Sequence, residues 1–523
     1  MNARKIALLV LIVAFAASVE TAWNVGGDMS LGPEGCRVMG GRFYGPSWAF
    51  ETTAEREITA GVAPRLEIEN SFGAVRVGKG APGVVKVRLR KVVFLPTEEK
   101  ASAFAERIEL RLTGDGERVR VSTNRAELGR GEQTGFETHL EIEAPAETVA
   151  EVRNEHGRVE LTGLAGADVA SSFEGVEIAG VAGDVKLEAR HGGVSVERVG
   201  GGLQLSVRHG DVSVSEVVGS SKLDVKHGSL GTRSTASLEI ELAHGELTAA
   251  SVGGDLVVRS QHAPVSASDV TGRTDIETSF GDVRLERVGG DVHTRVQHGK
   301  LTASDVSGGL NAETTHDGVE LERVLGPVEV KVQHGGLEAK GLAAGARVQA
   351  SGADVAIDGF AGKVDVEVER GSARLAPGGV LAAELIARAT HGDIELDVPE
   401  GRGFELEAES RRGQVNAPLQ GLDSSDDDRR RGQRVVGRHG TGGPSVRLTA
   451  DGDVTLEPRP VRSLTLSAVQ KPRAAANTTP EEPAAPMSPK PVVKPSPALP
   501  AEPKAPPQPE APPEDPGKPG HTR

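Results

Sequence analysis

A motif of roughly 18 residues recurs through more than half of this chain, and it constrains the fold more than any other feature. The stretch LQLSVRHGDVSVSEVVG at 203–219 shows it: a His-Gly pair separates two runs of alternating apolar residues. We call the residue at the histidine position the corner residue, and it is His156, Phe173, His191, His209, His227, His244, His262, Phe280, His298, His316 and His334 in successive copies. Glycine follows directly in most copies, but it comes two residues later after Phe173 and His316, and Ala263 replaces it after His262. So regular a period indicates a repeat architecture rather than a single large core.

A second register with the same period marks the opposite corner of each repeat. It consists of Val252, Val270, Val288, Val306, Val324, Leu342 and Phe360, usually with glycine two residues later. Between the corners apolar and polar residues alternate, as in Leu203, Leu205 and Val207, and this period of two indicates strands. A unit this short cannot bury its apolar face alone, so we expect it to stack on its neighbours at about 4.8 Å per coil.

The predicted fold is therefore all-β: a single-chain parallel β-solenoid with about 18 residues per coil. Only 3% of the residues are aromatic and 37% are hydrophobic, which suits the thin core of a solenoid. The helical pattern TEEKASAFAERIEL at 97–110 lies among strand-like runs and predicts a small helix-containing N-terminal cap over the first coil.

Composition changes along the chain divide it further. The stretch at 421–443 is rich in Asp, Arg and Gly, and the last part is rich in proline, which predicts a disordered tail. The predicted segments are a signal peptide at 1–18, a poorly defined N-terminal segment at 19–60, a β-rich cap with one helix at 61–155, solenoid repeats at 156–420, a polar loop at 421–443, a terminal coil at 444–460 and a disordered Pro/Ala-rich tail at 461–523.

The N-terminus has the pattern of a secretory signal. Arg4 and Lys5 precede an apolar run over 6–17, and Ala14-Phe15-Ala16 offers small residues for cleavage. The run is short for a membrane span, although an uncleaved anchor stays open as an alternative. Cys36 is the single cysteine, so an internal disulfide is excluded. It also lies too far beyond the cleavage site to be a lipidation site. We expect an exported protein of the periplasm, cell envelope or extracellular space, with no transmembrane segment in the mature chain.

The formal net charge is -15, which argues against nucleic acid and anionic membrane surfaces as partners. The expected partner is an envelope or extracellular macromolecule whose identity the sequence does not give. No motif predicts a cofactor.

The repeat unit resembles the bacterial putative-adhesin β-strand-repeat family, a domain of unknown function in exported and envelope proteins. The resemblance rests on the pattern of a corner glycine, an acidic or small residue and then alternating Val or Leu, and it extends over about 61–458. The stretch LEIENSFGAVRVG at 66–78 fits the same pattern. The resemblance implies a solenoid fold and an envelope location, and it supplies no catalytic residues.

The corner histidines are the candidate site. They are His191, His209, His227, His244, His262, His298, His316 and His334. Phe173 and Phe280 replace histidine at two corners, which a packing position accepts and a metal ligand does not. The alternation also places each histidine on the same face as the core residues before it. We therefore expect an inward-facing structural stack, with a pH-sensitive role or metal binding as the alternatives.

An enzymatic role is not expected. Lyases and hydrolases on β-helices use clefts walled by long loops, and the even spacing of these coils leaves no room for such insertions. Exposed carboxylates such as Glu286 and Glu322 are each followed by arginine, as on a solvated face. The expected function is a non-catalytic, adhesin-like or scaffold protein of the envelope. A carbohydrate-active β-helix enzyme, a self-assembling filament and an envelope-stress component are the alternatives.

Overall fold

The computed structural model describes residues 37–39, 42–44, 48–128, 135–401, 403–427 and 432–460. The predicted signal peptide (1–18) and the predicted disordered tail (461–523) lie outside these residues.

Strands make up most of the described chain and are numbered here in chain order. The N-terminal strands are β1 Arg37–Met39, β2 Arg42–Tyr44, β3 Trp48–Thr59, β4 Arg65–Phe72, β5 Val75–Lys79, β6 Val84–Leu95, β7 Leu110–Gly114, β8 Arg118–Thr123, β9 Gly135–Ala144, β10 Val149–His156 and β11 Val159–Thr162. Two helices lie among them, α1 at Glu98–Arg107 and α2 at Arg125–Leu128.

The regular repeats follow. Their strands are β12 Gly166–Phe173, β13 Val176–Val181, β14 Val185–His191, β15 Val194–Val199, β16 Leu203–His209, β17 Val212–Val217, β18 Ser221–His227, β19 Leu230–Thr235, β20 Leu238–His244, β21 Leu247–Val252, β22 Leu256–His262, β23 Val265–Val270, β24 Thr274–Phe280, β25 Val283–Val288, β26 Val292–His298, β27 Leu301–Val306, β28 Leu310–Thr314, β29 Val319–Val324, β30 Val328–Val332, β31 Gly335–Leu342, β32 Gly345–Ala350, β33 Ala353–Phe360, β34 Lys363–Arg370, β35 Ala373–Pro377, β36 Leu385–His391 and β37 Ile394–Pro399. The C-terminal strands are β38 Phe404–Ser410, β39 Val415–Asn416, β40 Leu422–Asp427, β41 Gly432–His439, β42 Ser445–Ala450 and β43 Val454–Arg459.

Each repeat contributes one strand to each of two sheets, which contain 21 and 20 strands within the described residues. In one sheet β16 pairs in parallel with β14 and β18, and in the other β17 pairs in parallel with β15 and β19. The register is even, so that His191 faces His209 and His209 faces His227. The prediction of an all-β parallel solenoid with about 18 residues per coil is confirmed.

The core is the strip between the two sheets. In β16 the alternating Leu203, Leu205 and Val207 are buried, and Val212 and Val214 of β17 face them from the other sheet. Every coil repeats this arrangement, so apolar columns run continuously along the rod. Burial of such columns is the main favourable contribution to the stability of a repeat fold.

Both ends of the stack depart from chain order. At the N-terminal end β4 lies between β8 and β10, and β5 lies between β9 and β11, all in parallel. The coil at 65–79 is therefore the second coil in space, although it precedes the coil built from β8 and β9 in the chain. The predicted cap begins earlier than residue 61, because β3 pairs with β6 along its whole length. It also holds a second short helix, α2, besides the one predicted.

At the C-terminal end β42 lies between β36 and β38, and β43 lies between β37 and β39. The predicted terminal coil at 444–460 is thus the penultimate coil of the stack. The prediction of a polar loop at 421–443 is wrong: β40 and β41 form an antiparallel hairpin there. The hairpin extends the sheet because β41 pairs antiparallel with β38. Two cross-strand ion pairs support this pairing, Arg434 with Glu407 and Arg438 with Glu405.

Antiparallel strands cover several exposed edges of the stack. At the N-terminal end β6 pairs antiparallel with β9, and β7 pairs antiparallel with β8. Helix α1 packs on this end through buried Ala101, Phe104 and Ala105. At the other end β41 pairs antiparallel with β38. A parallel coil cannot continue across an antiparallel strand, so these strands limit further growth of the stack.

Candidate functional site

The corner rings of successive coils form a single stack along one rim of the rod, here called the ring ladder. Neighbouring ring centroids are between 4.2 and 5.7 Å apart, and neighbouring planes are within 18° of parallel. In spatial order its members are Phe72, His156, Phe173, His191, His209, His227, His244, His262, Phe280, His298, His316 and His334. The eight histidines singled out in the sequence all belong to it.

A glycine directly follows most of the ladder rings and allows adjacent coils to approach closely; Glu174, Ala263 and Asp317 stand there instead after Phe173, His262 and His316. Gly210 has φ +151°, and its amide donates to the carbonyl oxygen of His227 on the next coil at 3.0 Å. A Cβ added to Gly210 would lie 2.0 Å from the carbonyl oxygen of Gly192. Backbone therefore packs directly on backbone at this corner, and a Cβ on Gly210 would force the two coils apart.

The expectation that the corner histidines face inward is wrong. Most of the corner rings are exposed to solvent. Phe173 and Phe280 are 43% and 44% exposed, and His298 is partly exposed. The other exposed histidines are His191, His209, His227, His244, His262, His316 and His334. Alternation correctly places these residues on the core side of the strand. The core itself ends one step earlier, at residues such as Val207, and the chain turns at the next glycine. The rings thus cover the rim where the two sheets meet.

Hydrogen bonds orient part of the ladder. Nδ1 of His316 lies 3.3 Å from the carbonyl oxygen of Gln297, and Nδ1 of His334 lies 3.3 Å from that of Thr315. A carbonyl oxygen can only accept, so Nδ1 carries the proton in these two rings and Nε2 is left as an acceptor. Because neighbouring planes are nearly parallel, Nε2 lone pairs point side by side rather than toward one ion. The geometry favours stacking over a metal shared by adjacent rings.

The stack also affects protonation. The pKa of His227 is lowered, first by desolvation and then by the charges that His209, His244 and Lys226 place nearby. Desolvation likewise lowers the pKa of His156, which stacks between Phe72 and Phe173. Charging these imidazoles is therefore less favourable in the folded chain than in the unfolded chain.

A second column of unusual residues lies in the other sheet, here called the kink column. These residues have φ between +53° and +80° although most are not glycine: Gly163, Gly180, Arg198, Glu216, Ser234, Ser251, Asp269, Arg287, Asp305, Arg323, Gly341 and Gly359. The left-handed conformation lets Val196 and Val199 both reach the core with two residues between them. It costs about 1 kcal/mol or more for a residue with a Cβ.

Ion pairs link the kink column from coil to coil. Arg287 binds Asp269 through two contacts of 2.8 and 3.0 Å, and Arg323 binds Asp305 through contacts of 2.7 and 2.9 Å. The two aspartate side chains are only 13% and 9% exposed. Bidentate pairs shielded from water in this way hold adjacent kinks in register.

The comparisons with known proteins bear on this repeat. The model of the Toastrack DUF4097 family matches residues 115–457, well over half of the chain. The chain belongs to the Toastrack DUF4097 family. This confirms the family resemblance drawn from the corner motif.

A solved structure also matches the Toastrack chain. It is described as a "putative cell adhesion protein" from Clostridium sporogenes, with 8% identity over 78% of this chain and 100% of that one. The TM-score is 0.14, too low to carry an argument. No curated protein matches. Among the described residues, no helix has the length and apolar character needed to cross a membrane.

One acidic cluster of this Toastrack solenoid was not anticipated from the sequence. Oxygen atoms of Glu395, Asp397 and Glu457 lie within 4.8 Å of one another, on two paired strands near the C-terminal end. Asp397 is 4% exposed, and burial raises its pKa. Its Oδ2 lies 2.7 Å from Nη1 of Arg459, which supplies the balancing positive charge.

Sequence reasoning also missed Phe72 as the first ring and the whole kink column. The signal for Phe72 was present, because NSFGAV at 70–75 matches TSFGDV at 278–283. The kink column leaves a weaker trace, an apolar residue three positions after each Val-x-Val pair. No single residue type marks the kink, since Arg, Glu, Ser and Asp all occupy it in the Toastrack repeats.

Proposed function

We propose that the chain is a non-catalytic, exported, adhesin-like or scaffold protein of the bacterial envelope. The observation that carries the proposal is the uniformity of the coils from β14 to β29, each of which pairs in register with the next. Such a rod presents flat strand faces and a rim of rings, surfaces suited to binding an extended partner.

The hollows on this surface are consistent with a binding role. One is an open groove of about 690 Å³ lined by alternating polar and apolar residues of β29, β31, β33 and β35. Neighbouring charges along it tend to pair, as Lys340 does with Glu338 and Arg374 with Glu395. Carboxylates paired in this way serve poorly as a general acid and base.

The proposal is tested on the native cell. We expect the chain to fractionate with the envelope or medium, with its N-terminus trimmed near residue 18, and to retain an envelope component in a cross-linked pull-down. An intact Met1 in the cytosol would contradict export. Release of reducing ends from envelope polysaccharide by the purified chain would instead support the carbohydrate-active enzyme.

A further inference from the structure

A patch of unpaired basic residues runs beside the ring ladder in the first regular coils. Arg190, Arg208 and Lys226 each directly precede a ladder histidine, on β14, β16 and β18. All three are exposed, and within the described residues none of them makes an ion pair. We call them the basic strip.

The basic strip is unusual for this protein. The outward faces of β14, β16 and β18 carry Lys186, Arg190, Arg208, Lys222 and Lys226 against Glu188 and Asp224. The next strand along the sheet, β20, carries Glu239 and Glu241 and no basic residue. In a chain with a net charge of -15, these three adjacent strands carry five basic residues against two acidic ones.

Many other cations of the rod are paired. Several arginines and lysines bind carboxylates on adjacent coils, as Arg295 binds Glu313 at 3.1 Å and Arg76 binds Glu160 at 2.6 Å. The strip instead aligns three like charges one coil apart, about 4.8 Å, where they repel one another. The repulsion is relieved when an anionic chain lies along the strip.

A groove beside the strip suits a hydroxyl-rich ligand. It has a volume of about 490 Å³, and Arg190 and Arg208 line it together with Ser171, Ser172 and Ser206. Four arginines and three glutamates line the groove in all, so its charge is slightly positive. The ladder rings next to it are stacked face to face and present only their edges, so no aromatic face is free for a nucleobase. These features fit a linear acidic polysaccharide better than a nucleic acid.

We propose that the basic strip and its serine-lined groove bind a linear acidic polysaccharide that runs along the rod axis. The inference rests on the proposed binding function and names the ligand class of one face. Carboxylates or sulfates of successive sugars would contact Arg190, Arg208 and Lys226, while sugar hydroxyls would bind the serines.

The test measures binding of the purified full-length chain to polygalacturonate and to dextran sulfate, with neutral dextran as control, at low salt. The triple variant Arg190→Gln, Arg208→Gln, Lys226→Gln should lose at least about tenfold in affinity, because three charge contacts disappear. A matched variant, Arg76→Gln, Arg295→Gln, Lys300→Gln, removes the same charge from paired positions and should stay within about twofold of the wild type. Preference between the two polymers distinguishes carboxylate from sulfate.

Three outcomes would overturn the proposal: no binding of either polymer by the wild type, equal loss in both triple variants, or strip-dependent binding to phosphatidylglycerol vesicles in place of the polymers. The three substituted residues are exposed, so the strip variant should fold normally. Because it removes like-charge repulsion, its melting temperature should be unchanged or slightly higher than that of the wild type. Should the polymers fail while the envelope pull-down succeeds, only the ligand class is wrong. Should both fail, the binding function itself is contradicted.

Discussion

Each coil bends at two places, and the two bends solve the same backbone problem in different ways. At the ring-ladder corner a positive φ is supplied by glycine, as in Gly210, Gly228 and Gly299. In the kink column it is supplied by residues such as Arg198, Glu216 and Asp305. The difference lies in what stands beside the backbone. At the corner a Cβ would overlap the carbonyl of the preceding coil, whereas the kink side chains lie on the outside of the sheet.

The comparison teaches that contact with the adjacent coil, as well as backbone torsion, determines where glycine is favoured. Glu174, with φ +74° at one corner, shows that a side chain is tolerated there in some copies. Torsional strain of about 1 kcal/mol can be offset by an ion pair between kinks, while an atomic overlap cannot be offset without moving a coil.

The largest expected effect is at the corner. Gly228→Ala places a Cβ 2.1 Å from the carbonyl oxygen of Gly210 at φ +140°, and should reduce the free energy of unfolding by at least about 2 kcal/mol. Gly193→Ala is the matched control, because its nearest contact is 3.7 Å away and its φ is ordinary. Urea unfolding of both variants measures the difference. Equal stability would show that the coils separate easily at the corner.

An intermediate effect is expected in the kink column. Asp305→Ala removes the bidentate partner of Arg323 from a site only 9% exposed, and should cost about 1–3 kcal/mol. Glu313→Ala removes an exposed partner of Arg295 and should cost less than about 1 kcal/mol. Thermal unfolding of the two variants is compared. If Asp305→Ala proves as mild as Glu313→Ala, the ion pairs do not offset the kink strain.

The smallest effect has the opposite sign. Glu216→Gly places at this kink the residue type that occurs in the kink column at Gly163 and Gly341. Because glycine adopts a positive φ without strain, the substitution should raise the free energy of unfolding by about 0.5 kcal/mol. Ser213→Gly, three residues before the kink residue on the same strand, should lower the free energy of unfolding, because glycine weakens an extended strand. A loss of stability in Glu216→Gly would mean that the kink carries little strain.

These contrasts also show what the sequence could reveal. The coil length, the parallel stacking of the strands and the alignment of the rings follow from spacing and alternation, and the structure bears them out. The exposure of His209 and the neighbouring ladder histidines could not be predicted from the sequence. Alternation indicates which face of the strand a residue lies on, but it does not indicate where along the strand the core ends. The interleaved coil at 445–459 could not be predicted either, since its pattern fits any position in the stack.

The charged composition of 421–443 also prevented the prediction of strands β40 and β41. Arg434 and Arg438 lie in a segment whose composition indicates a loop, yet this segment pairs as a strand with β38 and β40, and the two arginines bind Glu407 and Glu405. The pairing partners of β41 in β38 are about 30 residues away in the chain, so no local sequence pattern reveals the pairing.

The central claim is that the ring ladder is an exposed structural stack in which phenyl and imidazole are interchangeable. The direct measurement is thermal unfolding of the variant His209→Phe, His227→Phe, His244→Phe at pH 8 and pH 5.5. The pKa of His227 is lower in the folded chain, so the unfolded wild type binds more protons and loses stability as the pH falls below about 6.5. The account predicts an unchanged melting temperature at pH 8 and a smaller drop at pH 5.5 than in the wild type. A melting temperature several degrees lower at pH 8 would contradict it, because the imidazole nitrogens would then be indispensable.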